Sequence, residues 1–337
     1  MKNVLSLLGA VFLCVNGVVG GGFISGKEQG AFFGYETGSF LLSTAVLTLI
    51  FYFATVNSKK YNTLNEFTIS ICGNKSPFPA LFFCCSLVCC SVTLNFFENV
   101  MQGLNRLKPF PIFSILLIFI TAVLFRKGVS KIKNASLILT PLLCLGVFIL
   151  FFSSKKAELD FSNSLKISHP FYAIIYSFVN FFIGFPCFFE ATKGKTNKFI
   201  KGVSVIFFLA VSLLGIAVCL SIKGYGKDIS SYPVPLIFIA EELGAKGLFS
   251  FALILGLITS FWASFYSINL FSKNLKTLVI YCIIIYLLSI IGVNGIIKYV
   301  YPIFSATGVT YFIKCIKYSR LAKDKNVGGG KVDEKET

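Results

Sequence analysis

Histidine occurs only once in this chain of 337 residues, at His169, and aspartate and glutamate together number 14. The lone imidazole falls in a loop just before an apolar stretch, where a solvated surface position accounts for it. With one histidine there is no zinc-ligand spacing and no nucleophile–histidine pair of the kind acyl transfer requires, and no Walker A pattern is present. An enzyme is therefore not expected, nor is a bound cofactor. Tryptophan is also single and methionine occurs twice. The 11 cysteines include Cys84, Cys85, Cys89 and Cys90 in one apolar stretch. No histidine or carboxylate is interleaved with them, so they read as small, reduced packing residues.

What fills the chain instead is hydrocarbon. Hydrophobic residues make up 55%, charged residues 13%, and Phe alone contributes 39 positions; mean hydropathy is +0.81. That composition describes an all-α, polytopic membrane protein. The net charge of +17 comes from basic residues in short loops between apolar stretches, a pattern set by membrane orientation and not by nucleic acid. Met1 to Val19 carries a lysine and an apolar run, but hydrophobic stretches continue far beyond it, so it reads as half of a retained helix.

Apolar stretches of about 20 residues fall at about 4–33, 38–57, 79–103, 110–126, 134–153, 170–192, 200–222, 247–271, 276–292 and 295–313. Ten transmembrane helices with a cytoplasmic N-terminus place 21 of the 31 basic residues on the inner side, so N-in/C-in is favoured, as for a multi-pass protein of a bacterial inner membrane. Ten spans divide into five plus five, and an odd number per half inverts the second half. Landmarks recur accordingly: Gly20 with Gly184, Pro141 with Pro302, Thr93 with Thr259, at offsets of 161 to 166. Short amphipathic stretches at Tyr61–Ile71 and Pro235–Leu243 match as well. One transmembrane domain (1–319) is expected, with repeats at 4–153 and 170–313, then a disordered cytoplasmic tail, 320–337.

Span one is interrupted at Gly20-Gly21-Gly22, and span six carries Gly184-Phe185-Pro186 at the corresponding place. Consecutive glycines are costly in a helix, and backbone freed at membrane depth needs partners that lipid cannot supply. Two broken helices in corresponding positions point to a binding site at the midplane. There, half-helix N-termini suit a solute carboxylate and half-helix C-termini suit a cation.

The run Gly20-Gly21-Gly22-Phe23-Ile24-Ser25-Gly26-Lys27-Glu28, followed by Phe32-Phe33, resembles the G-x-G-F-x-S-G-x-E…FF signature of the YkvI-like membrane proteins. These belong to the amino acid–polyamine–organocation superfamily, and the resemblance implies the LeuT-type fold over about residues 3–315. In similar sodium-coupled carriers, one ion sits between carbonyls at the first break and two hydroxyls on span eight. Carried over, that implies a sodium site made by the carbonyls of Asn16 and Val19 with the side chains of Thr259 and Ser260. A proton-coupled or uncoupled carrier keeps the same fold without this ion. Solute contacts are expected from Gly20, Gly21, Gly22, Phe23 and Ser25, from Phe182, Gly184 and Phe185, and from Thr93 or Asn95 on span three, with Trp262 beside them. Charges at membrane depth are expensive, which singles out Glu28, Glu98 and Glu190. A Lys27–Glu98 gate with Glu28 beside it is one expectation; an interfacial Glu190–Lys193 pair is another. Similar carriers pair a basic residue with an acid on span ten, whereas this chain has Lys298 and no acid there. Pro233 to Gly247 reads as a lid.

These features describe a secondary transporter of a small amino acid or related organic solute, working by alternating access. The alternative is a sensor or ligand-gated permeation subunit, like the spore-germination membrane proteins of the same superfamily. The solute, the coupling ion, the direction of flux and the oligomeric state are left open.

Overall fold

In a computed structural model, residues 2–105, 112–125, 129–154, 165–225, 229, 232, 234–269, 275–290 and 299–328 are described. The secondary structure among them is helical. The first apolar stretch is divided into α1 (Lys2–Asn16), α2 (Gly21–Ile24) and α3 (Lys27–Phe33). Then follow α4 (Thr37–Ser58), α5 (Leu64–Cys72), α6 (Phe78–Asn105), α7 (Ile112–Phe125) and α8 (Val129–Ser153). After these come α9 (Pro170–Thr192), α10 (Asn197–Lys223), α11 (Pro235–Glu242), α12 (Lys246–Asn269), α13 (Leu275–Ser289) and α14 (Tyr301–Gly328).

Among the described residues, six helical stretches are long and apolar enough to cross a bilayer: Thr37–Ser58, Phe78–Met101, Asn134–Ser153, Pro170–Thr192, Asn197–Lys223 and Lys246–Ile268. Three shorter apolar ones lie at Val4–Asn16, Ile112–Ala122 and Val279–Ser289. The protein is thus a polytopic helical membrane protein. The final helix continues to Gly328, into the segment expected as a disordered tail, and 329–337 lie outside the described residues. Lys298 and Pro233 lie outside them too. The two amphipathic connections form α5 and α11.

The first helix occupies the centre, with α1 against α8, α9 and α10. Around it α12 packs on α6 and α8, while α9 packs on α4 and α14. Large apolar residues such as Leu49, Phe119, Ile138 and Phe152 face outward, as a lipid-contacting surface requires. Phe51 stacks on Phe188 at 3.7 Å between ring centroids, with Phe207 edge-on to both. Phe82 stacks on Phe182 at 4.2 Å, with Phe185 and Tyr311 beside them. These two clusters hold α9 between its neighbours.

They also explain a correction. Span six was expected to break at Gly184-Phe185-Pro186, but α9 runs unbroken through all three residues. Proline costs the helix one backbone donor, and the aromatic packing on both faces outweighs that loss. Gly184 serves close approach instead: a Cβ there would lie 3.0 Å from the Phe51 ring and 3.1 Å from Val18.

At the start of α4 the chain segment before α9 is strapped down. The Ser168 amide and the Ser39 hydroxyl donate to Glu36, and the His169 amide donates to Ser39. Partial burial pushes the Glu36 carboxyl upward. The bonds from Ser168 and Ser39 and the nearby His169 outweigh it and hold it below the usual carboxylate range. A carboxyl lowered in the folded state stabilises it above the ordinary value, and that gain is lost as pH falls through the lowered one. The Ser168 amide is expected to exchange its hydrogen about tenfold faster in Glu36→Ala, the loss of one charge-assisted bond. Exchange mass spectrometry of the 165–170 peptide reads this, and an unchanged rate refutes the strap.

Candidate functional site

Helix α1 stops at Asn16 because the next residues turn too tightly to continue the ladder. The Val18 and Val19 amides both return to the Val15 carbonyl, and the Gly20 amide reaches Val18. The carbonyls of Asn16, Gly17 and Val19 accept none of the backbone hydrogen bonds among the described residues. The break in the first span thus covers 17–20 and takes in only the first of the three glycines expected to form it. Helix α2 then resumes at Gly21, and a second bend follows at Gly26, whose φ of 83° is left-handed.

Two neighbours fix the end of α1. Asn16 Nδ2 donates to Ser136 Oγ at 3.0 Å, and Thr140 Oγ1 donates to Asn16 Oδ1 at 3.0 Å. All three side chains are buried, and both partners belong to α8.

The three glycines also permit close approach. A Cβ on Gly20 would lie 3.0 Å from Ser260 Oγ. On Gly21 it would strike Leu257, and on Gly22 it would strike the Glu28 carboxylate. Small residues here therefore do two things, opening the helix and letting α12 and Glu28 close on the opening.

A cavity of about 40 Å³ lies against the break, lined by Gly17, Gly20, Gly22, Glu28, Thr93 and Ser260 among others. Glu28 is 8% exposed. Its Oε2 accepts the Tyr176 hydroxyl at 2.7 Å and its Oε1 accepts the Tyr301 hydroxyl at 3.1 Å. A larger cavity of about 480 Å³ lies beneath α11, with Tyr232, Ile237, Glu241 and Ser250 in its wall. Phe96 lines both cavities. Helix α11 is tied to the first span directly: the Leu236 amide donates to the Ser25 carbonyl at 3.3 Å, and Lys27 Nζ donates to the Tyr232 carbonyl at 3.2 Å.

The expected site residues separate into two groups. Gly20, Gly21, Gly22, Glu28, Thr93 and Ser260 meet at the small cavity. Several others face elsewhere. Asn95 donates to the Ser289 carbonyl on α13 at 2.8 Å. Phe23 packs on Phe40, while Phe182 and Phe185 join the aromatic cluster around Phe82. Ser25 bonds back to the Gly22 carbonyl. The Trp262 indole donates to Thr121 on α7. Of the residues implied for sodium, Thr259 bonds to the Gly256 carbonyl of its own helix at 3.0 Å, while Ser260 lies beside Gly20. Glu98 accepts both the amide and the hydroxyl of Ser114, whereas Lys27 reaches toward the lid. Glu190 pairs with Lys193 at 2.7 Å, three residues on.

Sequence reading missed Tyr176, Tyr301, Asn180 and Ser264, all at this site. Two of them had a signal: Ser264 lies one turn after Ser260, and Asn180 one turn after Tyr176, the spacing of one helix face.

No family model and no curated protein matches the chain. Solved structures do. Two mutants of a manganese transporter from Eremococcus coleocola match at TM-scores of 0.61 and 0.60, each with 12% identity. Both alignments cover 100% of this chain and 90% of that one. The chain shares its fold with that protein. The same transporter in complex with an aromatic bis-isothiourea substituted compound matches at 0.54, covering 96% of this chain and 73% of the other.

Proposed function

We propose that the protein is a secondary active transporter of a small amino acid or related organic solute, working by alternating access. Its ten spans would form two inverted five-span halves in a bacterial inner membrane, with both termini cytoplasmic and membership among the YkvI-like proteins. One observation carries this reading: the first helix opens at 17–20 beside a cavity that a wider one adjoins through Phe96. A space of about 40 Å³ holds at most a few water-sized groups, so a solute requires the walls to part. Such parting is the movement an alternating-access carrier makes.

Manganese, the cargo named for the structural relative, fits the residues less well. Among the described residues no three His, Cys, Asp or Glu side chains group to hold a metal ion. A sodium ion at the break is favoured by the carbonyls of Asn16 and Val19, which accept no backbone hydrogen bond among the described residues, and by Ser260 beside Gly20.

Uptake into proteoliposomes tests the carrier reading with each of the twenty amino acids in labelled form. Accumulation or counterflow of one or more is expected; neither, for any of them, refutes an amino acid carrier and favours the sensor. If sodium drives uptake, Ser260→Ala is expected to raise half-saturating sodium about tenfold, equivalent to ~1.4 kcal/mol. An unchanged value removes Ser260 from the ion site.

A further inference from the structure

Glu28 is the one charged side chain lining the small cavity among the described residues. Its described partners are neutral: Tyr176 from α9 and Tyr301 from α14, each donating to a different carboxylate oxygen. Cys89 of α6 lines the same cavity. Helices α4 and α10 present Phe40, Val218 and Ile222 to α2–α3, none of which titrates. On its own helix, Lys27 is turned toward Tyr232. A carboxylate so enclosed is costly as an ion without a countercharge.

Its position makes that charge matter. The Glu28 carboxylate occupies the space a side chain on Gly22 would take, so it lies on the same glycines where the carrier reading seats the solute carboxylate. Two carboxylates sharing a site do not both stay ionised; one of them binds a proton. We infer that Glu28 is a proton-binding site whose proton enters together with the solute carboxylate, a step that rests on the carrier reading above. As the solute arrives, one H⁺ from water adds to a carboxylate oxygen of Glu28. It returns to water on the opposite side when the solute leaves. No other bond changes, and one positive charge crosses with each zwitterionic solute. Linkage makes the effect mutual: the solute tightens proton binding by the factor by which the proton tightens solute binding.

The first arm of the test needs no transport assay, because the proton itself is the probe. The full-length protein in sodium-free liposomes is titrated with acid while infrared difference spectra follow the C=O stretch of protonated carboxyls. One band is expected to grow in the wild type and to be missing in Glu28→Gln. Tyr301→Phe removes a donor to the ionised form, and should move the half-growth point about one pH unit upward. A titration with no such band, or a band that survives in Glu28→Gln, overturns the assignment. Should Glu28→Gln not fold, an unmoved half-growth point in Tyr301→Phe overturns it. In a second arm the amino acid found to be transported is added, and the half-growth point should rise. A fall, as expected if the solute ammonium paired with ionised Glu28, or no movement, overturns the coupling. If uptake shows no transport of any amino acid, the carrier reading fails while the infrared band still decides the fate of Glu28.

Discussion

Gly22→Ala is expected to reduce solute uptake by ten- to a hundredfold. The added methyl has no free space, because the Glu28 carboxylate lies where it must go, and that carboxylate is held by two tyrosine hydroxyls. Either Glu28 leaves one tyrosine or the start of α2 shifts; overpacking of this kind costs ~1–3 kcal/mol. Gly202→Ala on α10 is the control. Its Cβ would meet Leu7 at an ordinary 3.7 Å, and alanine is the better helix former, so uptake should be unchanged and stability equal or slightly higher. Initial uptake rates in proteoliposomes with matched protein content check both. Equal rates for Gly22→Ala and the wild type would mean that the glycine does not confine Glu28.

Asn16→Ala is expected to be the most destabilising single change near the break. It leaves Ser136 Oγ and Thr140 Oγ1 buried without their partner, and stranded polar groups cost ~1–3 kcal/mol each. A loss of ~2–4 kcal/mol follows and should show as a lower thermal midpoint in detergent. Removing all the polar partners at once, as Asn16→Leu with Ser136→Ala and Thr140→Val, should recover most of that loss. A triple variant as unstable as Asn16→Ala would show that the polarity itself is needed there.

The polytopic helical character was legible because lipid imposes long apolar helices, a signal carried by local composition. The interruption of the first span was legible from its glycines, but its place was not: only Gly20 of the three lies in the break, while Gly21 and Gly22 belong to α2 and serve close approach. Gly184-Phe185-Pro186 misled because the same residue types serve close packing. What decides between the two uses is the placement of Phe51, Phe82 and Phe207, from three other helices. Asn95 could have been separated from Thr93 in advance: two positions along a helix are about 200° of rotation, so only one of them can face the cavity. Glu28 was conspicuous as a charge at membrane depth. Its partners, Tyr176 and Tyr301, are 148 and 273 residues away, and no local pattern links them.

The two arms of the first span answer to different walls. Below the break, Asn16 is bolted to α8 through Ser136 and Thr140. Above it, Glu28 is clasped by α9 and α14, and Ser25 by α11. Any sliding between those walls therefore lands on the short joint at 17–20, two valines with a glycine at either end.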